Sequence, residues 1–535
     1  MMSSRTLVIC AVCYAAVLSL SIGGASLWTD EAFSAWLASH ESLRSLAGSL
    51  LTGGSSDLQM ALYYVYLFFW TKLFGAGEFA LRAANIPFIL LFSFVLVWSS
   101  ARLFKSRAAW LAAGMLPFVW HYASEARPYM ILLALSTTAF ACVVRFITAD
   151  FVERLAPLPW ICLASLIVGS LFHMLFLLAA APMALILGLA YWSDRSDLRW
   201  RYWTMPLAVF VLPFGALAGF FAFTLHRGIV DYNYPPPGVR QMASVAYELA
   251  GFSGFGPNRK FSLDFHPYAV PVVLGALAIC AGMVFAAYPV LLKLRLRDRV
   301  VPLLGAAALL GVVEVLAVAF ATRKQPDARH LAALVPIFLF LFMGLIRRAG
   351  PRTAAASLIL LGGAWFISDL RAEFLPEYQK EDYRDAVSAA LSIHQRTGAD
   401  IAVAADPVAA AYYGLDVRGP APCYPIQGAC GPAFQRVPWP RRAPAIDAAH
   451  WSQAEIQNWL AVHRERGIPA VVVMQLDRAH LRDSDWGPVL AGSHADHRLW
   501  LHGFEVVMLQ NRSTPEASLR FSSRLPGHTG TSTAP

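Results

Sequence analysis

The chain has 535 residues, of which 57% are hydrophobic and only 14% are charged, and its mean hydropathy is +0.51. These values are typical of a protein with many membrane-spanning helices, and they exclude a single soluble core. The formal net charge of +9 can indicate nucleic-acid binding. Here, however, the Lys and Arg residues stand in short clusters between apolar segments, as cytoplasmic loops require. We therefore expect membrane lipids, and no nucleic acid, as partners.

Apolar segments predict about eleven transmembrane helices in a mainly α-helical bundle. The segments are residues 6–27, 83–101, 109–122, 128–145, 157–172, 174–191, 203–225, 269–291, 301–321, 331–346 and 353–370. The first segment also fits a signal peptide, since Arg5 precedes its apolar run and the small residues Gly23 and Ala25 stand at its end. We favour a retained helix, because the first span would support the loop that follows it.

Residues 60–74 are apolar, but the segment is short, aromatic and interrupted by Lys72, so an interfacial helix fits better than a span. With this choice the basic clusters and the N-terminus all fall on one side, which the positive-inside rule makes cytoplasmic. The clusters lie at residues 102–107, 145, 195–201, 293–299 and 347–352. We therefore expect a multi-pass protein of a cytoplasmic or inner membrane. Its outer face carries residues 28–82, the turns at 121–127, 173 and 322–330, the loop 226–267 and everything after Asp369.

The chain divides into three predicted regions: a transmembrane domain of residues 1–375, a small outer α/β domain of residues 376–512 and a disordered tail of residues 513–535. Hydrophobic periodicity in the outer domain predicts helices over 381–396 and 454–466 and strands over 400–404 and 469–475. The tail is rich in Ser, Thr, Gly and Pro. Cys423 and Cys430 lie in the outer domain and can form a disulfide there. The sequence has no CxxC motif and no Cys/His spacing of a metal site.

An Asp-Glu pair, Asp30 and Glu31, follows the first apolar segment at the outer face. Burial and neighbouring charges tune the ionisation of carboxylates in such a place, so that one of them can take a proton from a hydroxyl group near neutral pH. An equally economical interpretation is that Thr29 or Asp30 caps an interfacial helix. The residues alone leave both interpretations open.

Five short motifs stand in a characteristic order in the outer segments. They are Trp28, Asp30, Glu31, Ala32 and Ser34; Leu62, Tyr63 and Tyr64; Phe74-Gly75 with the run from Glu78 to Arg82; residues 122–129, reading YASEARPY; and Arg329-His330, followed by Pro336. Over residues 20–380 this order resembles the bacterial relatives of protein O-mannosyltransferases and of the aminoarabinose transferase of lipid A. The resemblance implies an integral-membrane glycosyltransferase of the GT-C type. Such enzymes take a sugar from a polyprenyl phosphate and transfer it with inversion on the outer side of the membrane.

Two positions depart from the pattern of this family. Members often read Asp, one residue, then His-Pro-Pro before Leu-Tyr-Tyr, whereas this chain has Asp57-Leu58-Gln59-Met60-Ala61. The usual Arg-Tyr before the late span is Arg329-His330 here. Both departures concern contacts with the donor rather than the reaction type, and the first is compatible with a different sugar.

The resemblance also implies roles for individual residues. Asp30 matches the carboxylate that removes the acceptor's proton, and Glu31 is expected to orient it, raise its proton affinity or hold a sugar hydroxyl. Arg127 and Arg329 are candidates for stabilising the phosphate charge, because the planar guanidinium suits phosphate oxygens. Neither a metal nor a cofactor is required. The candidate substrate-binding residues are Asp57, Tyr63, Tyr64, Glu125, Arg127, His173, Arg329 and His330.

Each of these assignments has a structural alternative. Glu125 and Arg127 stand two residues apart at a helix mouth and can form an ion pair that anchors the helix. Arg329 can extend from a helix end to the membrane interface. His173 can be an ordinary turn residue.

Two other classes of protein stay open. A transporter would have internal repeats and broken helices that meet near the membrane midplane, whereas the polar candidates here cluster at one face. A receptor or envelope assembly protein would act through the outer α/β domain, and its carboxylates would only be caps. For a glycosyltransferase, the acceptor is a lipid, a polysaccharide or a protein outside the cytoplasm.

Overall fold

The computed structural model describes most of the chain. The described residues are 2–23, 25–52, 56–149, 155–193, 200–227, 245–255, 300–322, 327–375, 382–418, 442–448, 451–475, 486, 497–501 and 504–509. The predicted span 269–291, the pair Cys423 and Cys430, and the predicted tail 513–535 lie outside these residues.

Apolar helices form a membrane bundle, as the sequence predicts. Within the described ranges, ten of the eleven predicted spans coincide with helical segments: Ser4–Ser19, Ile86–Trp98, Ala109–Gly114 with Pro117–Ala123, Tyr129–Thr148, Pro157–Phe172, Ala180–Ser193, Arg201–Arg227, Val300–Thr322, Val335–Arg348 and Pro351–Phe374. By length and hydropathy, six stretches of the described chain can cross a membrane: Glu78–Leu103, Tyr129–Thr148, Met174–Trp192, Arg201–Thr224, Val300–Phe320 and Pro351–Phe374. The expectation of a polytopic helical membrane protein is therefore confirmed.

The predicted span 109–122 is not a single helix. It consists of the helices Ala109–Gly114 and Pro117–Ala123, and Leu116 between them is extended. The cause is Pro117, because a proline disfavours the helical conformation of the residue before it. The carbonyl of Gly114 accepts hydrogen bonds from the Tyr14 hydroxyl and from Trp120 Nε1, each at 2.8 Å. These side chains satisfy a carbonyl group at the break.

The first helix is shorter than predicted, since it ends at Ser19 and not at residue 27. Residues 25–28 are not helical. Their carbonyl groups instead bind the guanidinium of Arg82, whose Nη1 donates to Ala25 O at 2.6 Å and whose Nη2 donates to Ser26 O at 3.1 Å. A distant side chain therefore holds the extended connection between the first helix and the outer loop.

The first outer loop folds into the helices Thr29–Ala38, Leu43–Thr52, Ala61–Phe74 and Glu78–Ala83 and the 3₁₀ helix Ser56–Met60. The segment predicted as an interfacial helix is Ala61–Phe74. It buries Tyr63 and Tyr64 on one side, while Leu73 and Phe74 at its end are exposed. Exposed apolar side chains beside a membrane bundle suit a helix that lies at the lipid surface.

The C-terminal α/β domain, called the outer domain after its predicted side of the membrane, contains a mixed sheet. Its described strands are β1 (Asp400–Ala404), β2 (Leu415–Arg418), β3 (Ala443–Asp447), β4 (Ala470–Gln475), β5 (His497–Leu501) and β6 (Phe504–Leu509), in the order β2-β3-β1-β4-β6-β5. The pairs β2-β3, β3-β1 and β1-β4 are parallel, and β4-β6 and β6-β5 are antiparallel. The described helices are Tyr383–Thr397, Pro407–Tyr412 and Gln453–Arg466. Both predicted helices and both predicted strands are present, within two residues of their expected bounds.

The outer domain packs directly on the outer-loop helices. Leu27, Phe33 and Trp36 of the loop share one buried cluster with Tyr383 and Val408 of the α/β domain. Burying apolar area contributes roughly 25 cal/mol per Å², so this common core couples the two parts. The helices Tyr383–Thr397 and Pro407–Tyr412 of the α/β domain therefore pack beside the helix Thr29–Ala38.

Candidate active site

The carboxylate pair lies in the first turn of the helix Thr29–Ala38. The N-cap residue is Trp28, and no side chain forms the capping hydrogen bond. The interpretation that Thr29 or Asp30 is the cap is therefore wrong. Acidic residues in the first turn still interact favourably with the helix dipole. Residues at positions i and i+1 of a helix are separated by about 100° around its axis, so Asp30 and Glu31 face different surroundings.

Glu31 belongs to a buried clamp. Its carboxylate accepts two hydrogen bonds from Arg82, from Nε to Oε1 at 2.9 Å and from Nη2 to Oε2 at 2.7 Å. Glu31 is 0% exposed and Arg82 only 2%. Glu31 Oε1 also accepts from the backbone N–H of Ala126 at 2.8 Å. The carboxylate thus joins the helix Thr29–Ala38 to the helix Glu78–Ala83 and to the turn before Tyr129.

Asp30 faces a different, more open side. Its Oδ2 accepts a hydrogen bond from Nη1 of Arg329 at 2.6 Å, and the two side chains are 29% and 18% exposed. Nε of Arg329 lies 3.4 Å from Asp327 Oδ2, and its guanidinium carbon lies 5.9 Å from the centre of the Trp28 ring. The family motif Arg329 and the loop carboxylate, 299 residues apart, therefore meet directly.

Arg127 lies beside this pair. Its Nη1 is 3.4 Å from Asp30 O, 3.3 Å from Ser34 Oγ and 3.3 Å from the Tyr64 hydroxyl. Arg127 is buried. The Tyr64 hydroxyl donates in turn to Asp57 Oδ1. Burial, followed by the charge of Asp57, raises the pKa of Tyr64 well above its usual value, so the phenol stays protonated and remains a donor.

The turn that carries Arg127 is held from the membrane side. Nδ2 of Asn85 donates to the carbonyls of Ala123 at 3.1 Å and Glu125 at 2.7 Å. Glu125 is buried, and its Oε1 lies 3.7 Å from Nε2 of His121. These contacts fix the backbone of the turn, and the Glu125 side chain lies near His121.

Two histidines, His173 and His330, lie near the two arginines of the site. Nδ1 of His173 accepts from the backbone N–H of Leu175 at 3.1 Å, and its ring centre lies 6.1 Å from that of Tyr129. Burial, and then the charges of Arg127, His330 and Arg329, lower the pKa of His173 well below its usual value. His330 forms a reciprocal cap with Asp327, whose backbone N–H donates to His330 Nδ1 at 3.0 Å. Both imidazoles therefore border the arginine pair, and His173 is neutral near pH 7.

The structure gathers most of the predicted residues around the pair of Asp30 and Arg329, which is the partly exposed part of the site. Arg127, Tyr64, Asp57 and His173 are buried, and His330 is half-buried. Glu31 binds Arg82 instead, and Glu125 lies near His121. Tyr63 is buried with its ring edge-on to Tyr64, at 5.3 Å between centres.

Sequence reasoning missed Asn85 and recognised Arg82 only as part of a motif. Both are buried polar residues just before the apolar helix Ile86–Trp98. The available signal was this position at a helix mouth, where charged and amide side chains are usually paired or functional. Tyr383 and Tyr413 of the outer domain also reach the loop, and nothing in their sequence surroundings indicated it.

No protein-family model and no curated protein matches this chain. Among solved structures, it is similar to two crystal structures of ArnT from Cupriavidus metallidurans, one bound to undecaprenyl phosphate and one in the apo state. Each has a TM-score of 0.52 and 15% sequence identity, over 95% of this chain and 98% of ArnT. A cryo-EM structure of the arabinofuranosyltransferase AftD from Mycobacteria aligns with 95% of this chain and 42% of that chain, at 14% identity and a TM-score of 0.41.

The helical bundle and the outer α/β domain define a polytopic membrane protein. Its fold is similar to that of ArnT. The resemblance inferred from the motifs is confirmed at the level of the fold.

Proposed function

We propose that this chain is an inverting glycosyltransferase that moves a sugar from a polyprenyl phosphate to an acceptor outside the cytoplasm. The observation that carries the proposal is Asp30, whose carboxylate lies 2.6 Å from Nη1 of Arg329 and whose backbone carbonyl lies 3.4 Å from Nη1 of Arg127. A base next to two cations is what a transfer from a lipid phosphate needs. The ArnT structure bound to undecaprenyl phosphate supports a lipid-phosphate donor for this fold.

The two arginines are the proposed phosphate ligands. Arg329 is partly exposed and pairs with the Asp30 carboxylate, while Arg127 is buried and its Nη1 lies 3.4 Å from the backbone carbonyl of Asp30. Phosphate oxygens accept charge-assisted hydrogen bonds from guanidinium groups more strongly than neutral acceptors do. When a donor phosphate occupies the site, Arg329 turns to it and leaves the Asp30 carboxylate available to the acceptor.

The proposed reaction transfers one proton and one glycosyl group. The acceptor hydroxyl gives its proton to Asp30 as its oxygen forms a bond to the anomeric carbon. The bond from that carbon to the phosphate oxygen breaks, and its electron pair leaves with the polyprenyl phosphate. Attack opposite the leaving group inverts the anomeric carbon. Arg127 and Arg329 stabilise the charge that develops on the phosphate oxygens.

The other residues of the site serve binding or position. Glu31 is a positioning residue, because both its carboxylate oxygens accept hydrogen bonds from the buried Arg82. Asp57 and Tyr64 place polar groups against Arg127, and we assign them to sugar hydroxyls. The neutral imidazole of His173 and the Nε2 side of His330 offer further hydrogen bonds to the donor.

We place the protein in a cytoplasmic or inner membrane, with its N-terminus in the cytoplasm and the α/β domain outside. Polyprenyl phosphates are long apolar molecules, so their sugars are available at the membrane surface where Asp30 lies. The acceptor is an extracytoplasmic lipid, polysaccharide or protein.

The test is mass spectrometry of envelope glycolipids, polysaccharides and glycoproteins from cells that lack the gene or express either wild type or Asp30→Asn. A matched control is Asp416→Asn, which also removes a carboxylate from a pair with an arginine, Arg418, but in the outer sheet. We expect one sugar to be lost in the deletion and in Asp30→Asn, and retained in Asp416→Asn at equal membrane levels. Retention of that sugar in Asp30→Asn refutes the proposed base.

A further inference from the structure

Tyr413 of the outer α/β domain contacts the segment that leads to Asp30. Its hydroxyl oxygen accepts a hydrogen bond from the backbone N–H of Leu27 at 2.6 Å and one from Ser26 Oγ at 3.1 Å. The same hydroxyl donates to Glu78 Oε1 at 2.5 Å. One phenol therefore connects the outer domain to both the extended segment and the helix Glu78–Ala83.

The extended segment is held from two sides. On the membrane side, Arg82 donates to the carbonyls of Ala25 and Ser26. From the outer domain, the Tyr413 hydroxyl accepts a hydrogen bond from the backbone N–H of Leu27, and the backbone N–H of Arg384 donates to Ser26 Oγ at 3.1 Å. Leu27 is completely buried, so a change at this point displaces the helix that begins at Thr29.

Neighbouring contacts come from the same domain. Tyr383 places its hydroxyl 3.3 Å from Thr29 Oγ1 and donates to Gln475 Oε1 at 2.8 Å. Arg384 pairs with Glu78 at 3.0 Å. Burial, and then the hydrogen bond to Glu78, raise the pKa of Tyr413 above its usual value, so its hydroxyl keeps the proton that it donates.

We propose that Tyr413 is a positioning residue for the transfer reaction and that the outer domain thereby sets the place of Asp30. The proposal rests on the proposed function of Asp30. Displacing a reacting group by about 1 Å can lower a rate about 100-fold, and the chain from Leu27 to Asp30 has few ways to absorb a shift. The donor's phosphate contacts Arg127 and Arg329, which Tyr413 does not touch. Loss of the Tyr413 hydroxyl should therefore lower turnover more than it lowers the affinity for the donor.

The test compares Tyr413→Phe with Tyr412→Phe. The two residues are adjacent, and Tyr412 also uses its hydroxyl to bind the outer loop, donating to Ala76 O at 2.9 Å. Three quantities are measured on the full-length protein: the affinity for undecaprenyl phosphate, hydrogen exchange at Leu27, and sugar transfer per folded membrane copy. Transfer is followed through the sugar that the envelope analysis identifies.

For Tyr413→Phe we expect transfer to fall about tenfold or more, the range for a buried donor that loses its partner. We expect exchange at Leu27 to accelerate by a similar factor, and undecaprenyl phosphate affinity to change by less than about twofold, because the phosphate ligands are intact. Tyr412→Phe should retain wild-type transfer. A purely structural role would lower the amount of folded protein and leave transfer per folded copy unchanged.

Wild-type transfer by folded Tyr413→Phe overturns the proposal, as does an equal loss in Tyr412→Phe. If Tyr413→Phe does not fold, Ser26→Ala decides in its place, because it removes two contacts of the outer domain with the same segment, the hydrogen bond to the Tyr413 hydroxyl and the acceptor of the Arg384 N–H. Wild-type transfer by that variant also overturns the proposal. Failure of the proposed function is recognised separately, since Asp30→Asn would then keep its transfer activity.

Discussion

Asp30 and Glu31 are neighbours in the chain, yet they occupy two different kinds of site. Asp30 pairs with Arg329 where both side chains reach solvent. Glu31 pairs with Arg82 where both are almost completely buried. The helical periodicity separates them, and the surroundings decide their roles. A carboxylate that takes a proton from a substrate must be accessible to that substrate. A carboxylate that holds the backbone in place needs a hydrogen-bond donor for each of its oxygens.

Because the two pairs differ in burial, we expect the Glu31–Arg82 pair to contribute mainly to stability and the Asp30–Arg329 pair mainly to the reaction. A buried ion pair leaves an uncompensated charge when one partner is removed, and that is expensive. A partly exposed pair is screened by solvent and contributes little to stability. Variants of the two pairs should therefore fail in different assays, and the following predictions use this contrast.

The largest effect on stability is expected for Glu31→Ala. It leaves the guanidinium of Arg82 buried without its carboxylate and should lower the free energy of unfolding by about 3–5 kcal/mol. Thermal unfolding in detergent and the amount of protein in the membrane measure this loss. The control Glu41→Ala removes an exposed carboxylate after the same helix and should behave as wild type. Equal melting of Glu31→Ala and Glu41→Ala would remove the distinction between clamp and active site.

The next effect concerns ligand affinity rather than stability. Arg329→Gln should weaken undecaprenyl phosphate binding about 10- to 150-fold, since a hydrogen bond to a charged group contributes about 1.5–3 kcal/mol. Its melting temperature should stay close to that of wild type, because the pair with Asp30 is partly exposed. Arg418→Gln, which removes the arginine of an exposed pair in the outer sheet, is the matched control. Unchanged affinity in Arg329→Gln would show that this arginine does not hold the phosphate.

The smallest effect is a pH dependence from His173. Its pKa is lower in the folded than in the unfolded state, mainly through burial and then through Arg127, His330 and Arg329. The unfolded chain therefore binds more protons below its own His pKa of about 6.5, and stability falls as the pH drops below that value, by at most about 1.4 kcal/mol per pH unit.

Melting curves at pH 7.5 and pH 5 measure this slope. His173→Gln has no proton to take up at this position, so it should lose less stability than wild type between the two pH values. Equal losses in the two proteins would mean that His173 is already charged in the folded state.

Local patterns in the sequence identified many of the elements. Continuous apolar runs identified the spans, and short apolar runs identified β1 and β4, whereas the sequence analysis assigned no strand to β2, β3, β5 or β6. Pro117 was visible in the sequence, but the run around it was apolar enough to suggest one helix over 109–122. The first apolar segment was expected to be helical to residue 27, but the helix ends at Ser19, and the carbonyls of Ala25 and Ser26 bind the distant Arg82.

In the candidate site, too, local sequence patterns identified some residues and missed contacts that depend on distant parts of the chain. Asp30, Arg127 and Arg329 were found because each belongs to a short motif. The division of labour between Asp30 and Glu31 was not predictable, because it depends on Arg82, 51 residues away. Tyr413 is 386 residues from Leu27, and its hydrogen bond follows from the packing of two domains rather than from any local pattern.

The central claim is that Asp30 accepts the acceptor's proton while Glu31 only holds the loop. The most direct measurement is sugar transferred per folded membrane copy of Asp30→Asn, beside wild type. Loss of a general base lowers a rate about 10²- to 10⁴-fold, so the account predicts a loss in that range with an unchanged melting temperature. Transfer by Asp30→Asn at the wild-type rate would contradict it.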